Sequence, residues 1–96
     1  MFYIYILYSA AYDKYYVGYT DDVFRRLEEH NEISDHSYTS KYRPWELVGN
    51  YQVGPSRGHA MKIERHIKKQ KSKEYIRKII KRGSIAGLTD RFEGNG

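Results

Sequence analysis

The chain has 96 residues, no cysteine, 40% hydrophobic residues and a net charge of +5. That length is one domain with one modest core, and the absent cysteines exclude disulfides and thiolate metal sites and fit a reducing compartment. The opening apolar run is far shorter than the ~20 residues of a membrane span, and no charged leader with a cleavage site precedes it, so a soluble, cytoplasmic protein without a membrane partner is expected.

Seven tyrosines fall within the first nineteen residues, at positions 3, 5, 8, 12, 15, 16 and 19, interleaved with Ile4, Ile6, Leu7 and Val17. Aromatic and β-branched residues suit a pleated, half-buried surface. The polar stretch Ala10 to Lys14 divides the two runs, which predicts a hairpin with a longer loop. Alternation places Tyr3, Tyr5 and Leu7 on one face of the first strand, and Tyr16, Gly18 and Thr20 on one face of the second. A glycine inside a strand marks a bend or a close approach, so Gly18 opens space beside Tyr5 and Tyr16.

A helix follows, capped by Thr20 or Asp21. Val23, Leu27 and His30 follow its buried stripe, Phe24 widens that stripe, and Arg26 and His30 lie on its edge one turn apart. A cation beside a buried stripe is costly without a partner or a task. Ile33 to Pro44 has no periodicity and reads as a long surface loop, whose Tyr38, Thr39, Lys41 and Arg43 offer hydroxyls and cations to a phosphate backbone. Trp45 to Val53 alternates as a third strand, central or edge, and Gly54-Pro55-Ser56 ends it.

Ser56 caps a second helix with Ala60, Ile63 and Ile67 inward and Lys62, Arg65, His66 and Lys69 outward. Glu64 lies on the inward side, where a structural ion pair with Arg26 or a lysine competes with a functional role. Lys71 to Arg82 forms a third helix, with Tyr75, Ile76, Ile79 and Ile80 inward, and Gly83 stops it. Residues 84–96, with three glycines, read as a mobile tail. Between Arg57 and Arg82 eleven of the seventeen lysines and arginines face only two glutamates, a local charge of +9. This half is a candidate polyanion surface, with Lys68 and Lys71 among its contacts.

The elements add up to an α+β domain over residues 1–82: a three-stranded, mainly antiparallel sheet flanked by three helices. The opening stretch resembles that of a GIY-YIG nuclease domain, with Tyr3-Ile4-Tyr5 and Tyr16-Val17-Gly18 standing for the two signature tripeptides; the first lacks its eponymous glycine. YIYIL, YYVG, RRLEEHN and PWELV occur in the order of the small stand-alone bacterial members, and the likeness spans roughly residues 2–82.

The resemblance implies a GIY-YIG endonuclease-like fold and a catalytic set of Tyr5, Tyr16, Arg26, His30 and Glu64. Glu64, in an AxxxE helix, is then the carboxylate that holds a divalent metal, Mg²⁺ with Mn²⁺ able to substitute. Its implied activity is endonucleolytic hydrolysis of phosphodiester bonds, with DNA the first expectation. Arginine suits the non-bridging phosphate oxygens, and either Tyr16 or His30 can take the proton from water. The competing reading is a nucleic-acid-binding module without catalysis on the same scaffold.

Overall fold

The computed structural model describes residues 1–33 and 38–92, the side chains of Ile33 and Tyr38 excepted. Its centre is the first strand. β1 (Phe2–Ser9) pairs antiparallel with β2 (Lys14–Thr20) on one side and with β3 (Glu46–Gly54) on the other, so the third strand lies at an edge and the order is β2-β1-β3. The loop closing the hairpin uses Asp13 at a φ of 50°, a left-handed position that aspartate tolerates. Its carboxylate accepts from the Tyr8 hydroxyl at 2.8 Å and from Lys73 Nζ at 3.0 Å, tying the hairpin to the third helix.

α1 (Val23–Glu28) begins later than either expected cap, Thr20 or Asp21, suggested. Asp22 is the cap, and its Oδ1 accepts from the Arg25 amide at 3.1 Å. Phe24 is 73% exposed and does not widen the buried stripe. The helix continues as a π-helical turn, Glu29–Ile33, a widened geometry that recurs at functional positions. The stretch read as a surface loop folds back through a 3₁₀ turn, Tyr38–Tyr42, and Thr39 is buried within it. Trp45 Nε1 donates to the Thr39 carbonyl at 2.8 Å, and this bond closes the turn over the sheet.

α2 (Arg57–Lys69) starts at Ser56 and buries Ala60, Ile63 and Ile67 as their spacing required. α3 (Lys73–Arg82) is capped by Ser72 and ends at Gly83, where a φ of 72° suits glycine. The mobile-tail expectation fails for residues 84–92. α4 (Ala86–Phe92) packs on α2, and Ile85 is 5% exposed within the core. His66, expected to point outward, lies against the rings of Tyr75 and Phe92 at 6.2 and 5.4 Å. The described residues therefore hold four α-helices rather than three, with a wholly antiparallel sheet in an α+β fold. Among them no helix is long and apolar enough to cross a membrane.

The two sheet faces are closed differently. Ile4, Ile6, Val17 and Val53 meet Ala60, Ile63 and Ile67 of α2, with Ile79 and Ile85 behind. On the other face Tyr5 and Leu7 meet Val23 and Trp45, with Tyr16, Leu27 and Tyr42 around them.

Candidate active site

α1 and α2 pack on opposite faces of the sheet, yet Arg26 and Glu64 line one cleft of about 420 Å³. β2 is an edge strand, and its Tyr16, Gly18, Tyr19 and Thr20 line the cleft between them. Gly18 lies at this edge opposite Tyr5. A Cβ at Gly18 would lie 2.5 Å from Tyr5 Cζ and closer still to its hydroxyl oxygen, so the glycine makes the space the tyrosine ring occupies. Tyr5, Tyr16, Arg25, Arg57 and Lys68 also line the cleft, and four cations there face two carboxylates, Asp21 and Glu64.

Arg26 Nη1 donates to Glu29 Oε2 at 2.8 Å, and the guanidinium lies near enough to Tyr5 for each to influence the other's ionisation. Burial works against its charge, but these two partners outweigh burial and hold its pKa above the ordinary value. The Tyr5 hydroxyl and His30 Nε2 share a hydrogen bond of 2.9 Å. His30 Nδ1 shares a second hydrogen bond, of 2.8 Å, with Thr39 Oγ1. Burial first, then the charge on Tyr16, pushes the Tyr5 pKa up to about 12, so it remains a phenol. Burial, with the nearby Arg26 cation, lowers that of His30 to about 4, so it remains neutral.

Four of the five catalytic candidates, Tyr5, Tyr16, Arg26 and Glu64, line the cleft. His30 does not. It is 3% exposed behind Tyr5 with both ring nitrogens engaged. Glu64 pairs with Lys68 at 3.1 Å rather than with Arg26, and the Lys68 ammonium also lies 5.2 Å from the centre of the Tyr16 ring. Of the phosphate contacts expected from the loop, Thr39 is excluded because it is buried against His30. Arg43 turns inward, its Nε donating to the His30 carbonyl at 2.7 Å. Lys41 is exposed away from the cleft lining, and the side chain of Tyr38 lies outside the described residues. Lys68 and Lys71 do flank the site: Lys68 lines the cleft, and both line the neighbouring hollow.

Two supporting residues were not singled out from the sequence as parts of the site. Asn31 Oδ1 accepts from the Trp45 amide at 2.6 Å, and its Nδ2 donates to the Trp45 carbonyl at 3.0 Å. This two-pronged bond pins the start of β3 to the π turn that carries His30. Asn31 stands inside the RRLEEHN string, but nothing local in that string says that its partner lies 14 residues on.

A metal at this site would draw on few protein donors. Among the described residues no group of three or more His, Cys, Asp and Glu side chains converges. A single carboxylate opening on a cleft wide enough for a phosphate nevertheless suits a hard cation that keeps most of its waters, as Mg²⁺ does. The donor set fits: Glu64 is the residue that would hold such an ion, and Lys68 is its ion-pair partner at 3.1 Å.

Residues 1–78 match the GIY-YIG catalytic domain, and the chain belongs to that family, whose character is that of nucleases. Within it, the chain is similar to small proteins named UPF0213. One from Halalkalibacterium halodurans is 32% identical over 77 residues, which cover 77% of this chain and 80% of that one. Another, from Listeria monocytogenes, is 34% identical over 80 residues, 83% of this chain and 88% of its own. The solution NMR structure of the UPF0213 protein from Bacillus halodurans superposes with a TM-score of 0.52 at 27% identity, covering 98% of each chain.

Proposed function

We propose that the protein is a divalent-metal-dependent endonuclease that hydrolyses phosphodiester bonds in DNA, with Mg²⁺ as its ion and Mn²⁺ able to replace it. One observation carries this reading: a guanidinium, a carboxylate and two phenols from both faces of the sheet open on a single positively charged cleft. Glu64 is the residue that would hold the ion, which when bound neutralises phosphoryl charge and assists departure of the 3′ oxygen. Arg26, kept cationic by Tyr5 and Glu29, retains further N–H groups for the non-bridging oxygens. His30 is spent on holding Tyr5 and Thr39, so its role is to position. That leaves Tyr16, in the cleft beside the Lys68 ammonium, to take the proton from water. Tyr5, a phenol at neutral pH, orients Arg26.

The test is nicking of plasmid, single-stranded and branched DNA with Mg²⁺ or Mn²⁺, set against Glu64→Ala and Arg26→Ala. Cleavage that vanishes in both variants while their circular dichroism is unchanged supports the reading; no cleavage of any substrate ends it. A second reading, a binding module without catalysis, is favoured by the fact that both charged groups already have partners within the chain, Glu64 with Lys68 and Arg26 with Glu29. It requires a salt-dependent affinity for DNA that Glu64→Ala leaves unaltered.

A further inference from the structure

Next to the cleft, and sharing Tyr16 and Lys68 with it, lies a second hollow of about 330 Å³ between β2 and the turn that joins α2 to α3. The lining is of two kinds. Val17, Ile67 and Ile76 give it an apolar floor beside the tyrosines at positions 15 and 16, and Lys68 and Lys71 stand at its rim. The Tyr15 ring is braced by the Tyr8 ring, with centroids 4.8 Å apart, so it presents a fixed aromatic surface. Lys71 is exposed, and its backbone sits at a φ of 49° in the short turn before Ser72.

A ligand suited to this hollow needs a flat group with apolar faces for the floor and an anionic group within reach of two ammonium ions. Sugars and free phosphate each satisfy only half of that requirement. A nucleotide satisfies both: aromatic side chains stack bases of any identity, and lysines take the adjoining phosphate. The shared residues fix where such a nucleotide lies, because a strand with one phosphate in the cleft continues past Tyr16 and Lys68 into the hollow.

We infer that the hollow is a subsite for the base of one unpaired nucleotide beside the scissile phosphate, seated on Val17, Ile67 and Ile76 against Tyr15, with its phosphate on Lys68 and Lys71. The word scissile rests on the nuclease reading; the base subsite itself does not. In a continuous duplex the faces of that base are covered by its stacked neighbours. The hollow therefore selects strands whose nucleotide next to the cut is free to leave the stack.

The test is an amide chemical-shift titration of the whole protein in EDTA with a short single-stranded thymidine oligonucleotide, a base-free deoxyribose-phosphate chain of equal length, and a blunt duplex. The thymidine strand is expected to move the signals of Tyr15, Val17, Ser72 and Ile76 together with those of Arg26 and Glu64. The base-free chain is expected to move only the cleft and lysine signals and to bind roughly 5- to 150-fold more weakly, the equivalent of one stacked base. Lys71→Ala weakens both single strands by a similar factor. Equal affinity for the two single strands overturns the inference. So do hollow signals that stay still, or that respond equally to the duplex. Hollow signals that move while those of Arg26 and Glu64 do not would keep the base subsite and remove the nuclease reading.

Discussion

The two faces of the sheet solve the same packing problem with different chemistry. Toward α2 the contact is aliphatic, isoleucine and valine against isoleucine and alanine, and it needs nothing but shape and burial. Toward α1 the contact is aromatic and hydrogen-bonded: Tyr5 is bonded to His30, His30 to Thr39, and Trp45 closes back on the Thr39 carbonyl, with Arg26 beside Tyr5. An aliphatic contact fixes distances loosely and tolerates exchange of similar volumes. A chain of buried hydrogen bonds fixes orientation, because any member left without its partner is costly. The division explains how a chain of 96 residues holds a charged cleft: one face supplies stability, and the other aims the guanidinium.

The sharpest way to break this comparison is to keep the charge and spoil the aim. Arg26→Lys retains a cation but loses the planar fork that bonds Glu29 next to Tyr5, and it is expected to lower nicking by about 10²- to 10³-fold with the melting temperature little changed. Parallel plasmid-nicking and thermal-unfolding measurements check it. A variant that loses both activity and stability would mean that the aromatic face carries the fold as well as the site.

The converse substitution is Ile63→Ala, on the fully buried face of α2. Removing the side chain is expected to cost about 3 kcal/mol in urea unfolding, with a cavity left where neighbouring aliphatic groups cannot close in. At a temperature where the variant is still folded, nicking is expected to stay within a few-fold of the parent. A smaller step tests the hydrogen-bonded face in the same way. Asn31→Ala leaves the Trp45 amide and carbonyl without the partners they have at 2.6 and 3.0 Å, which is expected to cost about 2 kcal/mol. Because that bond holds the turn carrying His30, nicking falls with it, whereas after Ile63→Ala it does not.

Legibility in the sequence follows the same division. Period two in the hairpin and the Ala60, Ile63, Ile67 spacing in α2 are local patterns, and each put its residues on the face they occupy. Gly18 beside Tyr5 was readable for the same reason, since it follows from alternation and the hairpin register alone. Thr39 and Arg43 were misread because exposure was inferred from missing periodicity, while a 3₁₀ turn, held by a tryptophan and a histidine from elsewhere in the chain, draws them inward. The pairing of His30 with Tyr5 spans 25 residues and passes through a π turn, for which the sequence carries no signal comparable to helical spacing. Residues 84–92 were taken for a tail because their apolar groups are few. Ile85 with the short helix behind it is enough, since α2 already offers a surface to cover.

The smallest expected effect is also the most specific to the aromatic face, and it is read by pH. His30 titrates at about 4 in the folded protein against an ordinary 6.5, because burial and then the Arg26 cation disfavour its charged form. Between those values the unfolded chain binds the proton more readily than the folded one, so stability rises with pH across the window. The contribution is fully present above about pH 6.5 and is lost as acid carries the protein toward pH 4. Between about pH 6.5 and pH 5 the loss should reach about 1.5 kcal/mol for this one group. His30→Gln keeps a hydrogen-bonding side chain for Tyr5 and Thr39 without the titration. Its urea midpoint should therefore be lower than the parent's at neutral pH but fall less steeply on acidification. If parent and variant lose stability in parallel, the acid sensitivity belongs to the carboxylates, and the hydrogen-bonded face is no more pH-sensitive than the aliphatic one.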